Sequence, residues 1–310
     1  MIPVVARAGP ATAERSGILA IDKPAGMTSF DVVRAVRRIF NERRVGHAGT
    51  LDPTATGLLP ICVGQATRVV DYFHQQTKTY HCVVRLGERS DTLDTEGVVV
   101  AGGDASAVTE SDVQAVLGEF VGDIEQVPPM HSAVRHEGKH LYELARSGTE
   151  VERKARPVHI ESITITAFRA GPRAEVELDV VSGKGAYMRV LAAEIGEKLG
   201  TGALLAWLSR TTYGPLLLAD AVTPEALAAY PDPALALLPM DSAVAFLPRV
   251  DLAAQQVTMI GRGQSVWLPR VPELTAGAQC RVHSAGGRLI AIGEIAGNLL
   301  RPTKVLNNQP

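Results

Sequence analysis

The segment richest in potential chemistry is Gly46-His47-Ala48-Gly49-Thr50-Leu51-Asp52-Pro53-Thr54-Ala55-Thr56-Gly57. Its glycines let backbone approach a ligand closely. Pro53 biases Asp52 away from the helical region, so the carboxylate projects from extended or turn backbone. A loop carboxylate held in this way can serve as a nucleophile. The same residues also make an ordinary Asp-Pro turn, and the local pattern leaves both readings open.

A second candidate is His136-Glu137-Gly138-Lys139-His140, which fits the H-E-x-x-H zinc pattern. A zinc peptidase would need a helix through all five residues, with both imidazoles on one face. Gly138 costs such a helix about 1 kcal/mol against Ala, and Arg135 to Lys139 is polar throughout. No metal is expected. There is no G-x-x-x-x-G-K-[ST] phosphate loop and no G-x-S-x-G elbow. Gly183-Lys184-Gly185 begins like a dinucleotide loop but has Met188 where the third glycine belongs. No cofactor is expected.

The elements that must hold these residues mix helices and strands. Ile18 to Ile21 is a short apolar strand. Thr28 and Asp31 are spaced as a capping box, and Val32/Val33, Val36 and Ile39/Phe40 form the buried stripe of the helix that follows. Tyr80 to Leu86 and Val98 to Val100 read as strands, and Thr109 to Val121 as a helix. Ala174 to Val181 alternates, with Val176, Leu178 and Val180 inward, which predicts a half-solvated, antiparallel or mixed sheet. Tyr187 to Leu199 is a third helix. Beyond Pro248 come short strand-like runs, Ser265 to Leu268, Cys280 to His283, Leu289 to Ile295 and Leu300 to Val305. Gly-Gly at 286–287 and Gly-Asn at 297–298 are hairpin signals between them.

The 310 residues suggest about two domains. With 46% hydrophobic and 21% charged residues, the chain is an ordinary globular one. Lys+Arg number 31 and Asp+Glu 33, so no global basic field advertises a polyanion. The charge is uneven, however: residues 249–310 hold 7 basic and 3 acidic side chains, a net of +4, leaving −6 elsewhere. With the prolines at 231, 233, 239 and 248, this places a boundary near Pro248. Three cysteines without a Cys-x-x-Cys speak against a disulfide framework. No apolar run suggests a membrane span. Met1 to Arg15 lacks the features of a signal peptide and is expected to be a disordered tail (1–15), in a cytoplasmic protein.

Five ordered segments carry a family resemblance. Gly49-Thr50-Leu51-Asp52-Pro53 with Ala55-Thr56-Gly57 resembles the catalytic motif of the bacterial tRNA pseudouridine synthase B family. Asp22-Lys23-Pro24-x-Gly26-x-Thr28-Ser29 resembles its N-terminal motif, and Lys78-Thr79-Tyr80 its Lys-x-Tyr. Gln126 to Arg146 resembles its RNA-gripping thumb, and Ser182-Gly183-Lys184-Gly185-Ala186-Tyr187-Met188-Arg189 the segment of its active-site arginine. Together they span residues 17 to about 215. Four positions depart from the usual pattern, Thr54, His131, Ala186 and Ser209, and bear on RNA affinity rather than chemistry.

The resemblance implies an α+β pseudouridine-synthase fold, with a mixed, mostly antiparallel sheet flanked by helices. It implies a catalytic domain at 16–248 with its thumb near 126–156, and a small all-β PUA-like barrel at 249–310. It implies isomerisation of uridine 55 in the tRNA T-loop after base flipping, by a monomer with no obligate protein partner and no membrane association. Asp52, Tyr80 and Arg189 would be catalytic, with Arg189 lowering the pKa of Asp52 and keeping it ionised. His47 would stack in the space the base leaves. Tyr187 and Leu208 would line the base pocket, and Lys23 would bind substrate. A noncatalytic tRNA-binding or tRNA-folding protein is the alternative, with the zinc peptidase a remote one. Arg34, Arg37, Arg38, Arg43 and Arg44 form a basic strip beside the catalytic loop.

Overall fold

A capping box starts the first helix. The Thr28 side chain accepts from the Asp31 backbone N–H, and the Asp31 carboxylate accepts from that of Thr28. Val32, Val33, Val36 and Phe40 form its buried stripe. The computed structural model describes residues 16–132, 134–268 and 275–306. The tail expected at 1–15 lies outside them.

In chain order the first half comprises β1 (Gly17–Lys23), α1 (Ser29–Phe40), β2 (Val45–His47), β3 (Thr56–Val63), α2 (Val70–Phe73), β4 (Lys78–Leu86), β5 (Glu88–Ser90), β6 (Val99–Ala101), α3 (Glu110–Leu117) and β7 (Gly122–Gln126). Next come β8 (Arg135–His136), β9 (Lys139–His140), α4 (Leu141–Arg146), β10 (Arg156–Arg169), β11 (Glu175–Ser182), α5 (Met188–Lys198), β12 (Ala203–Tyr213), β13 (Leu216–Leu217) and α6 (Pro224–Ala228). The last are β14 (Arg249–Leu252), α7 (Ala254–Gly261), β15 (Val266–Trp267), β16 (Gln279–Ser284), β17 (Leu289–Ala296) and β18 (Leu299–Val305).

Among the described residues the main sheet has nine strands, ordered β1-β3-β12-β4-β11-β10-β7, with β2 on β3 and β13 on β12. All pairings are antiparallel except β3 with β12, where Ser209 faces Thr56 and Arg210 faces Gly57. Strand β4 alternates as expected: Tyr80, Cys82, Val84 and Leu86 are buried and pack in one core with Val176, Leu178, Leu191, Ile195 and the stripe of α1. A second core joins Ile18, Leu58, Tyr72, Phe73 and Tyr213 to Met240, Val244, Leu289, Ile292 and Leu306.

Among the described residues the C-terminal strands form a five-stranded sheet, β14-β16-β17-β18-β15. Its two expected hairpin turns contain Gly287 and Gly297 at positive φ. The structure adds α7 to what the sequence read as strands and turns alone. Lys304 at its edge pairs with Asp71 at 2.7 Å.

The helix that a zinc site would require does not form. His136 and His140 lie in the β8–β9 hairpin, where His136 pairs with Lys139 and Arg135 with His140. Glu137 (φ 48°) and Gly138 (φ 87°) are both left-handed, as a two-residue I′ turn demands. The i, i+4 helical face that would align the imidazoles is therefore absent.

Candidate active site

Asp52 sits on a loop tied down at each side. The Ser29 hydroxyl donates to the Leu51 carbonyl (3.0 Å) and accepts from the Leu51 N–H (2.9 Å). One residue beyond Asp52, the Pro53 carbonyl accepts from the Gly26 N–H (2.8 Å) and from Lys23 Nζ (3.2 Å). Lys23 Nζ also donates to the carbonyls of Met27 (2.7 Å) and Pro24 (3.0 Å). Further out, Arg210 donates to the carbonyls of Gly49 (3.2 Å) and Leu58 (2.7 Å). Residues Lys23 to Ser29 are thus a cradle for the Asp52 loop. Lys23 is wholly buried, and its ammonium is spent on backbone carbonyls.

Gly57 closes the loop at φ +95°, where a Cβ would lie 2.5 Å from the Arg210 carbonyl oxygen. Only glycine fits there while β3 runs beside β12.

Arg189, on the first turn of α5, reaches Asp52. Its Nε lies 3.1 Å from Asp52 Oδ2 and one terminal nitrogen 3.3 Å from Asp94 Oδ2. The guanidinium also donates to the carbonyls of Thr92 (3.3 Å) and His131 (2.8 Å). This planar fork is nearly buried, at 7% side-chain exposure, while Asp52 keeps 35%. The half-buried Asp52 carboxylate is therefore anchored by a buried guanidinium that has three further partners. The hydrogen bond from Arg189 goes to the main-chain carbonyl of His131, which any residue at that position supplies.

Arg189 lowers the Asp52 pKa as the resemblance implies, but it is not the largest influence. Burial pushes the Asp52 carboxyl above its usual range; Arg189 pulls it down, Asp94 adds to the rise and Lys23 opposes it. Removal from water outweighs the arginine. Burial likewise brings Lys23 down to about 8, against the pull of Asp52 and Glu96. Glu96 is pushed up by burial, then by Asp94 and Asp52.

Asp52, Arg189 and Leu208 line one small cleft, together with Thr54, Asp94, Thr95 and Trp207. Tyr187, the N-cap of α5, exchanges backbone hydrogen bonds with the Gln126 side chain (2.9 and 3.4 Å), and burial raises its hydroxyl pKa. Tyr80 is buried in the core on β4, between Val180 of β11 and Arg210 of β12. His47 ends β2, outside that cleft, with its Nδ1 buried; burial, then Arg210 and His74, keeps its imidazole below its usual pKa.

Two contributors were not read from the sequence. Asp94 is buried, and its Oδ1 accepts from the Thr92 hydroxyl (2.5 Å) and the Glu96 N–H (3.0 Å). Leu93 before it is left-handed (φ 64°), an unfavourable state for leucine that the Leu205 N–H bond to the Leu93 carbonyl (3.0 Å) helps hold. Arg210 is the other. Neither belongs to a periodic pattern or a short motif, so no local signal marked them.

Comparison with known proteins decides the family. The N-terminal domain model of TruB family pseudouridylate synthase matches residues 37–188, and the C-terminal model of pseudouridine synthase II TruB matches 248–306. A protein named tRNA pseudouridine synthase B from Ralstonia nicotianae is 44% identical over 298 residues, 94% of each chain. One of the same name from Symbiobacterium thermophilum is 47% identical over 253 residues, 82% of this chain and 84% of that one. The chain belongs to the TruB family of pseudouridylate synthases. Its fold is shared with the crystal structure of a Cbf5-Nop10-Gar1 complex, at TM-score 0.74 and 26% identity over 94% of this chain and 85% of that one. The N-terminal TruB match takes in His47, Asp52, Tyr80 and Tyr187 and ends one residue before Arg189.

Proposed function

We propose that this TruB family enzyme converts uridine 55 in the T-loop of tRNA to pseudouridine, with Asp52 as the carboxylate that acts on the nucleotide. The chain is a tRNA-modifying isomerase. The reaction breaks the bond from N1 to C1′, turns the uracil and joins C5 to C1′. The C5 proton leaves and N1 gains one, so the sum is an isomerisation with no water added and no electron transferred. Attack on sugar or base, or removal of a sugar proton, each needs Asp52 ionised at the moment it acts.

One observation carries the reading: Asp52 is partly solvent-facing, yet fixed by the buried Arg189, itself held by Asp94. A carboxylate that served only a turn would need no such support. Leu208 and Tyr187 border the flipped base, Tyr80 stacks beneath it, and neutral His47 occupies the space left in the T-loop. Lys23 supports catalysis through the Pro53 carbonyl. In this reading residues 16–248 carry the chemistry, the 126–156 segment closes over RNA as a thumb, and residues 249–310 hold more distant tRNA phosphates. The protein acts as a single chain, without a partner protein.

Incubation of the purified protein with unmodified tRNA, followed by nucleotide-resolution mapping, tests it. Pseudouridine at position 55 alone is expected. Modification elsewhere, or tRNA binding without product, would replace the reading by a different target or by a noncatalytic role.

A further inference from the structure

Beneath the Asp52 loop lies a buried group that the mechanism above does not use. Tyr213, the last residue of β12, is fully buried. Its ring lies under two cations, with Lys78 Nζ 4.4 Å and the Arg210 guanidinium carbon 4.9 Å from its centroid. Phe73 meets the ring edge-on at 5.6 Å and 76°. Lys78 and Arg210 are themselves buried. Burial, with the like charge of Arg210 adding to it, brings Lys78 down to about 8. Two like charges are therefore packed together without a carboxylate between them, and the negative π-face of the tyrosine is their common attraction.

Arg210 in turn carries the carbonyls of Gly49 and Leu58, on either side of Asp52. The ring also abuts the loop directly. A Cβ on Gly49 would lie 3.3 Å from the Tyr213 ring and hydroxyl and 3.5 Å from Arg210. The Tyr213 hydroxyl has no hydrogen-bond partner among the described residues, so a phenyl ring in its place would break no hydrogen bond to them.

We propose that Tyr213 is a positioning residue for Asp52: its π-face holds Arg210, and Arg210 fixes both limbs of the Asp52 loop. This rests on Asp52 being the reacting carboxylate. The role depends on aromaticity and not on the hydroxyl, and it affects the geometry of attack rather than RNA affinity.

The test compares Tyr213→Phe, Tyr213→Leu and Tyr213→Met with Asp52→Asn in parallel, by single-turnover rate at saturating tRNA, tRNA dissociation constant and thermal unfolding. Met is included because its flexible side chain fills irregular gaps where Leu fails to fold. Tyr213→Phe should keep the rate within about twofold. The non-aromatic variant that unfolds cooperatively above the assay temperature should be slowed about tenfold or more, at an unchanged dissociation constant, since small misplacements of reacting groups are costly. Equal rate losses in Phe and Leu would overturn the proposal by making the hydroxyl the active part. So would a normal rate in either non-aromatic variant, or failure of both to fold while Phe folds, which would make the ring a core filler. An active Asp52→Asn would instead remove the underlying assignment, whatever Tyr213 does.

Discussion

Asp52→Asn should lower the single-turnover rate at least ~1,000-fold and leave tRNA affinity within about threefold. The amide is nearly isosteric but is neither a nucleophile nor a base, and affinity should rest on phosphate contacts made elsewhere. Rapid-quench assays and filter binding check both numbers. Because burial raises the Asp52 pKa above 3.8, the rate should fall as pH drops through an apparent value above that figure. The sign for stability is opposite. The folded chain holds this proton to higher pH than the unfolded one, so Asp52 lowers stability as pH rises through that window. Asp94 raises the Asp52 pKa by its like charge, so Asp94→Asn should move the acid limb downward. It should also lower the plateau rate, because Arg189 loses one of its two carboxylates. A pH–rate profile of the two proteins separates these effects; an upward move of the acid limb would contradict the assigned electrostatics.

At the scale of elements, the cradle and the loop closure make separable demands. Ser29→Ala removes both hydrogen bonds to Leu51 and leaves a buried peptide unit unpaired, costing about 1–3 kcal/mol. Its effect should appear in the chemical rate more than in KM. Gly57→Ala drives a Cβ into the Arg210 backbone at positive φ, which should cost roughly 1–3 kcal/mol in strain alone and more if β3 parts from β12. Thermal melts of the two variants rank them. The elements that were legible had local signatures. Helix α1 has its capping box, and β4 and β11 have clean alternation. Strand β3 was missed because Thr56–Val63 is buried on both faces: it shows no alternation, and Pro60 argues against a central strand. The H-E-x-x-H pattern was visible but uninformative, because two left-handed residues turn it into a hairpin. The carboxylate proposed to act, Asp52, was legible as an Asp-Pro loop only with its flanking motifs. Asp94 was not, since its meaning comes from an arginine 95 positions away that only the folded sheet brings to it.

At the scale of the whole molecule, the C-terminal sheet is bonded to the rest more tightly than a tethered module would be. Leu289, Ile292 and Leu306 share a core with Tyr72, Met240 and Val244. Arg281 and His283 both bind the Asp241 carboxylate, at 2.5 and 2.9 Å. Cutting the chain at Pro248 should therefore expose apolar surface and lower the melting temperature, so the RNA role of residues 249–310 is better tested by point changes. Arg288 and Arg301 are exposed. Arg288→Gln with Arg301→Gln should reduce the salt slope of tRNA binding by about 0.7–0.9 for each phosphate that is no longer neutralised, with the rate at saturation unchanged. Identical slopes would exclude both from the RNA surface. The strand order has a consequence for synthesis. Strand β12 lies between β3 and β4 although it is made more than a hundred residues after either. Before β12 is made, the pairings open to the chain are those of β1 and β2 with β3, and of β4, β11, β10 and β7 together, so β3 and β4 each lack the neighbour that β12 provides. Such non-local closure is slow and exposes edges that invite aggregation. A nascent or prematurely terminated chain ending before Ala203 would contain Asp52, Tyr80 and Arg189 yet have no site. Catalytic competence should arrive in one late step, when the seam closes.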